Sequence, residues 1–229
     1  MSTSRRDRRG EARLPAVVAV VVAIVLQAAL PSRLLIGPRL ALPALEVLLL
    51  IPLVAINPVR MTRETRWSRM LAVTFVLLVA AANTGVLLLL VRALVDGGAS
   101  DGKQLLLAAL QVWVTNVIAY GLIYWELDRG GPVPRTQRPR EDLPPADFRF
   151  PQDEDHDAIV EVARGSSAKS DWVPTLVDYL YMSVTNSSAF SPTDTMPLSS
   201  RTKVLMALQS TSALVLSLLV VSRAVSILK

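Results

Sequence analysis

Asn186, Ser187, Ser188, Phe190, Ser191, Pro192, Thr193 and Asp194 gather hydroxyl, amide and carboxylate oxygens around a proline within one short stretch. A short aromatic and apolar run, Tyr179–Val184, leads into it, and a long apolar stretch, Val204–Ser222, follows. Oxygens held at membrane depth can stand in for the water shell of an ion, which is the chemistry of a pore loop. Gln209, Ser212 and Ser217 would extend that lining along the helix behind the loop. A ring of Asp194 carboxylates would favour monovalent cations weakly. Glu46, between Pro43 and Pro52, is a further carboxylate at membrane depth. Such a group either faces a bundle interior or watery cavity, or snorkels to the interface from about two turns inside its span.

Other chemistries find few residues. There is no cysteine, so disulfides, thiolate metal sites and cysteine nucleophiles are excluded. The single histidine, His156, lies in the acidic run Asp153-Glu154-Asp155-His156-Asp157, read as a solvated cluster with no metal site. No Gly-x-Ser-x-Gly string or paired metal motif occurs, so no catalytic residue, no cofactor and no enzymatic activity is expected. The 24 Lys and Arg against 19 Asp and Glu flank apolar segments and act as topology and lipid-headgroup signals, not as a nucleic-acid surface.

The positioning elements follow from hydropathy. The mean hydropathy of +0.42 is concentrated in five runs: Leu14–Leu30, Leu40–Ile56, Met70–Val91, Gln104–Trp125 and Val204–Ser222. Each approaches or exceeds the ~20 residues that cross a hydrocarbon core, and in lipid such runs are helices. The expected class is an all-α integral membrane protein with about five transmembrane helices. A re-entrant pore helix and loop precede the last of them. Residues 1–13 form a basic tail, with 14–95 carrying three N-terminal helices. The first run is read as a retained helix, the alternative being a signal peptide with Ala28-Ala29 as its small-residue site. Asn83, Thr84 and Gly85 suit close helix packing.

Residues 104–127 are the candidate outer helix. Trp113, Asn116, Tyr120, Tyr124 and Leu127 share one of its faces, and Tyr124 and Trp125 suit an interfacial aromatic belt. The Pro-rich, charged stretch 128–171 cannot bury a core of its own. It is expected to be ordered by docking Phe148, Phe150 and Pro151 on the membrane domain, with a short helix near Ala158–Arg164. In 172–229, Asp171 and Pro174 mark the start of a half-membrane helix, and Pro192 and Pro197 end it. Ser210, Ser217 and Ala224, with Ala213, form a small-residue stripe on the last helix.

Residues 172–227 resemble the pore module of the two-helix potassium channel superfamily: outer helix, pore helix, filter, inner helix. That family's loop reads Thr-Thr-Val-Gly-Tyr-Gly-Asp, then two residues and Pro. Aligned on Asp194 and Pro197, this chain has a hydroxyl at Ser188 in the first position and keeps the Asp-x-x-Pro spacing. Ser191 and Thr193 fill both glycine positions, and Pro192 between them has φ fixed near −65°. The resemblance therefore implies an oligomeric pore, a tetramer around the last helix, wider than a potassium filter and weakly cation-selective or non-selective. The chain is also similar to a group of bacterial multi-pass membrane proteins carrying the strings Tyr-Trp-Glu-Leu-Asp-Arg-Gly-Gly-Pro and Ala-Phe-Ser-Pro-Thr-Asp-Thr-Met-Pro.

Charge sets the expected orientation in the cell (plasma or inner) membrane. The basic N-terminus and Arg60–Arg69 belong in the cytoplasm, and counting spans puts 128–171 there too. The pore loop would then dip from the cytoplasm. The alternative is that one apolar run does not span, or that Trp172–Phe190 crosses fully. Two functions fit: a pore-loop channel, or a non-conducting accessory or scaffold subunit that keeps the pore-module fold.

Overall fold

A computed structural model describes residues 9–95, 102–154, 159–188 and 194–227. The molecule is mostly helical, with nine helices among the described residues: α1 (Leu14–Ala28), α2 (Ala41–Ile56), α3 (Arg66–Val95), α4 (Gly102–Leu127), α5 (Pro132–Gln137), α6 (Val160–Ala163), α7 (Ser167–Ser170), α8 (Leu176–Ser188) and α9 (Ser200–Ile227). Two antiparallel two-residue ribbons tie the chain together. β1 (Glu11–Ala12) pairs with β2 (Arg60–Met61), and β3 (Phe148–Arg149) with β4 (Met196–Pro197).

Among the described residues, three helices are long and apolar enough to cross a membrane: Arg66–Val95, Lys103–Gly130 and Ser200–Ser222. α1 and α2 are apolar but have only 15 and 16 residues. Prolines bound them: Pro15 is tolerated in the first turn of α1, where its missing N–H has no partner to lose. Pro31 and Pro38 then break the chain before α2.

α4 is the centre of the molecule and packs against α1, α3, α8 and α9. Its second half is buried on all sides, from Thr115 through Glu126. Tyr124 and Trp125, 0% and 3% exposed, therefore do not form a lipid-facing belt. The Tyr124 ring meets Phe148 edge-on at 5.3 Å, and Trp125 Nε1 donates to Glu11 at 3.0 Å. Asn83 donates to Asn116 at 3.4 Å, joining α3 to α4.

The ribbons and side-chain bonds bring the starts of α1, α3, α8 and α9 and the end of α4 to one end of the bundle. Leu176 N donates to Glu11 at 2.6 Å, Arg69 bonds Glu126 at 2.8 Å, and Thr202 Oγ1 donates to the Asp147 carbonyl at 3.3 Å. This end also carries Arg13, Arg60, Arg63, Arg66, Arg129, Arg135 and Arg201, and is called the basic end. At the opposite end a second apolar cluster joins Leu34, Leu90, Leu105, Ala108 and Leu216.

The stretch after α4 docks as expected through Phe148 and Phe150, whereas Pro151 is exposed. Phe150 packs edge-on against Trp172 at 5.6 Å and Tyr179 at 5.4 Å. The short helix expected near residues 158–164 is α6. The start of α8 differs from the expectation. Asp171 pairs with Arg140 at 2.6 Å, and Thr175 is the cap. Asp178 accepts from both Thr175 N at 2.7 Å and the Thr175 hydroxyl at 2.9 Å, which ties the first turn to the helix start at Leu176.

Candidate functional site

Two polar layers are built around the α4–α8–α9 unit. The first closes the basic end. The chain leaves α4 through Arg129, Gly130 and Gly131, all with positive φ (51°, 80° and 99°), a turn that glycine makes without steric cost. At Gly131 a Cβ would also lie 2.0 Å from Arg69 Nη1, so a side chain there would displace the Arg69 guanidinium from Glu126. The turn aims Asp128 inward, where it is fully buried. Its Oδ1 accepts from Asp147 N at 2.7 Å and Phe148 N at 3.3 Å, and its Oδ2 from the Tyr179 hydroxyl at 2.5 Å. Arg129 lies 3.5 Å from the same carboxylate and 2.6 Å from Asp153. Arg135, also fully buried, donates to the Trp125 and Asp128 carbonyls, each at 3.0 Å. Its guanidinium sits 4.9 Å over the Tyr179 ring. Arg201 forks onto Asp147.

The second layer lies about 14 Å deeper, nine residues into α9. Gln209, fully buried, is its hub. Its Oε1 accepts from the Tyr124 hydroxyl at 2.6 Å and from Asn186 Nδ2 at 2.9 Å. Its Nε2 donates to Ser183 Oγ at 2.6 Å and Ser187 Oγ at 2.8 Å. Ser183 Oγ in turn donates to the Val117 carbonyl at 2.7 Å, and Asn186 to the Met206 carbonyl at 3.0 Å. One glutamine thus clamps α8 between α4 and α9.

The sequence-predicted residues divide accordingly. Asn186, Ser187 and Gln209 come together, but inside the protomer and saturated by one another. Ser188, exposed, donates to its own helix at the Val184 carbonyl. Ser212 and Ser217, part-exposed, donate to the Leu208 and Ala213 carbonyls. Asp194 is exposed and accepts from the Tyr181 hydroxyl at 3.3 Å. Phe190, Ser191, Pro192 and Thr193 lie outside the described residues, as does His156. Glu46 is fully buried and does not snorkel. The Gln27 amide, turned with its nitrogen toward the carboxylate, donates to both oxygens at 2.9 Å.

Sequence reasoning missed the charged layer at the basic end. Its signal was available in Glu126, Asp128 and Arg129 directly behind an apolar helix. Their partners were not, because Arg69 stands 57 positions from Glu126 and Tyr179 51 from Asp128. Glu64 adds a pH-sensitive group between α2 and α3. Burial holds its carboxyl above the usual range, partly offset by Arg69 and Arg138. Its ionisation therefore weakens the fold, a cost absent below the unfolded carboxyl range and complete above the raised folded value. Glu64→Gln should accordingly raise the melting temperature at pH 7 and leave it unchanged at about pH 4. An intrinsic-fluorescence melt in detergent at the two pH values checks this.

The fold and these layers define a mostly helical protein with three helices able to cross a membrane. The chain matches no known family model, no curated protein and no solved structure at a significant level.

Proposed function

We propose that α4, α8 and α9 form a pore-loop module of the two-helix channel kind: outer helix, half-length pore helix and inner helix. The observation that carries this reading is the arrangement of the two helix starts. Leu176 of α8 and Thr202 of α9 are both bonded at the basic end, while Asn186 lies beside Gln209 well inside the bundle. The segment between them, on this reading, goes in and comes back, which the contact of Tyr181 with Asp194 supports. On this reading copies of the chain assemble as a homo-oligomer, a tetramer, around α9 and the loop. The path passes monovalent cations with weak selectivity.

The positive-inside rule orients the basic end toward the cytoplasm. The loop then dips from the cytoplasmic side of the cell membrane, and α1 and α2 complete five crossings. Their short lengths are accommodated by local thinning or by flanking arginines that reach the headgroups. A cysteine-free chain makes this easy to test. Arg63→Cys should react with an impermeant maleimide only in inside-out vesicles, and Arg33→Cys only in right-side-out ones. The reverse pattern overturns the orientation.

A second reading, a non-conducting accessory or scaffold subunit, is favoured by the saturation of Asn186, Ser187 and Gln209 within one protomer. Purified protein reconstituted in liposomes separates the two. The channel reading expects Na⁺ and K⁺ flux and a lower cation-over-anion preference in Asp194→Asn. No flux from wild type, with a monomer by native mass spectrometry, supports the scaffold. Flux with unchanged preference in Asp194→Asn moves the path away from this loop.

A further inference from the structure

Glu46 is the one ionisable residue of α2 and plays no part in the pore-loop module. Its side chain is fully buried, although Leu45, Val47 and Leu48 beside it are 42%, 44% and 64% exposed. The helix therefore turns this carboxyl inward, against α1. There the Gln27 amide lies 2.9 Å from both carboxyl oxygens, and among the described residues it is their one polar partner. The helices packed against α2 bring no cation to the site. α1 has no charged residue from Leu14 to Ala28, and α3 has none between Arg69 and Arg92. The turn between α1 and α2 carries Arg33 and Arg39, both exposed. Arg39 spends its Nη1 on the Ala28 and Leu30 carbonyls, at 2.9 and 3.1 Å.

A buried charge is ordinarily paired with an opposite one, and a carboxyl without a cation is left with a proton as its counter-charge. Glutamine suits both forms of such a group. Its amide N–H donates to an ionised carboxylate, and its amide oxygen accepts from the O–H of a protonated one. A separation of 2.9 Å fits either bond. A route for the proton is present as well. At the end of the bundle opposite the basic end, a recess with room for about one water molecule is lined by Gln27, Leu30, Arg39, Leu42 and Pro43. Arg39 is its exposed rim and Gln27, 5% exposed, its floor. Glu46 is not part of the lining, so Gln27 stands between the recess and the carboxyl.

We propose that Glu46 and Gln27 form an exchangeable proton site, entered through this recess from the end opposite the basic end. As the Gln27 side chain turns, water in the recess meets the carboxylate. A hydronium ion there gives up one proton: an O–H bond of the hydronium breaks, an O–H bond forms on a Glu46 carboxyl oxygen, and water is left. The Gln27 amide changes from N–H donor to oxygen acceptor as the carboxyl gains the proton, and changes back on its loss. Glu46 is thus the binding group, and Gln27 a positioning residue between it and water. The bond that joins α1 to α2 reverses its direction with the charge, so the contact between these helices reports acidity at one end of the bundle. The site depends on neither the pore loop nor conduction, and an absence of ion flux leaves it unaffected. Ionisable groups at membrane depth serve proton uptake in this way.

The test is difference infrared spectroscopy of the full-length protein in liposomes, between about pH 6 and about pH 9, where ordinary carboxyls stay ionised. Wild type should lose a protonated-carboxyl C=O band as the pH rises, and the band should shift in deuterated buffer. Glu64 and Glu126 also hold carboxyls away from water, so the assignment is made by variant. Glu46→Gln should remove the band and leave theirs. Gln27→Leu should move it to higher wavenumber, since the Glu46 O–H loses its acceptor. If Glu46→Gln does not fold, the displacement of the band in Glu46→Asp carries the assignment. A Glu46 band that neither titrates nor exchanges marks a sealed structural carboxyl and overturns the proposal. The lack of any band that depends on Glu46 overturns it too, because the carboxyl is then ionised throughout. A band that titrates but is unmoved in Gln27→Leu removes Gln27 from the site and has the same consequence.

Discussion

Asp128→Ala should destabilise the protein by about 3–5 kcal/mol, the cost of breaking a buried charge pair. The carboxylate is fully buried and serves four donors on three segments: two backbone N–H groups of the 147–148 stretch, the Tyr179 hydroxyl and Arg129. Alanine leaves all of them in a site that water does not reach, with Arg129 keeping only Asp153 as a charged partner. The loss should be local before it is global. β3 should loosen first, because Asp128 accepts the Asp147 and Phe148 N–H groups, leaving Arg201, Thr202 and the Tyr124 ring to hold them. β4, paired to β3, should loosen with it, and with it the start of α9. Tyr179→Phe isolates one donor and should cost only about 1 kcal/mol. Thermal melts of the two variants in the same detergent, with amide exchange at Phe148 and Met196, check the size and order of these effects. Near-equal melting temperatures for Asp128→Ala and wild type would show that the layer does not bear on stability.

Gln209→Leu should cost about 3 kcal/mol and act at a different depth. Leucine has a similar volume, so packing is kept and hydrogen bonding alone is removed. The Tyr124 hydroxyl and Asn186 Nδ2 lose their common acceptor, and Ser183 and Ser187 lose a donor. A single hydrogen bond between membrane helices averages only about 0.6 kcal/mol, with a maximum near 1.7. The larger figure follows because four partners depend on one side chain, and buried groups left unsatisfied cost about 1–3 kcal/mol each, partly recovered by rearrangement. By the scale of soluble domains of this length the shift corresponds to about 6–12 °C in melting temperature. Gln209→Glu separates packing from bonding. Fully buried, the carboxyl stays protonated, keeping the acceptor for Tyr124 and Asn186 and offering the serines one O–H in place of two N–H. The variant should fall between wild type and Gln209→Leu. If Gln209→Leu melts with wild type, the three helices are held by apolar contact and the polar clamp is incidental.

On the proposed channel reading, these two layers also bear on conduction. The clamp fixes α8 at a set depth between α4 and α9, which any loop chemistry at Asp194 requires. It also consumes the side chains that would be the obvious lining. A path in the oligomer would therefore depend on the loop itself, and not on the middle of α9.

The helices were legible in the sequence because lipid-compatible runs leave the backbone no other way to pair its polar groups. Their breaks were legible because proline removes a donor and fixes φ. All five long apolar runs are helices within a few residues of the expected ends, and so is the short aromatic and apolar run before the last. The 128–171 stretch was read as dependent on its context because it has too little apolar surface to fold alone, and its described part packs on the helices through Phe148 and Phe150. The two short ribbons were not legible, because two-residue strands are set by what they join and carry no period of their own.

The roles of individual polar residues were decided by the tertiary structure. Periodicity put Tyr124 on one face of α4, but a face is not a destination: Gln209, 85 positions later, made it a buried donor. Glu46 could have reached water or Gln27, and only the packing of α2 on α1 selected Gln27. Asn186, Ser187 and Gln209 have the composition of a lining, and composition cannot distinguish oxygens that face an ion from oxygens that face each other. The sequence by itself determined a helical membrane-compatible chain with a short polar segment before its last helix. Which groups satisfy which was decided by contacts distant in sequence, because hydrogen bonds depend on position within a few tenths of an ångström, and only the assembled bundle sets position that finely.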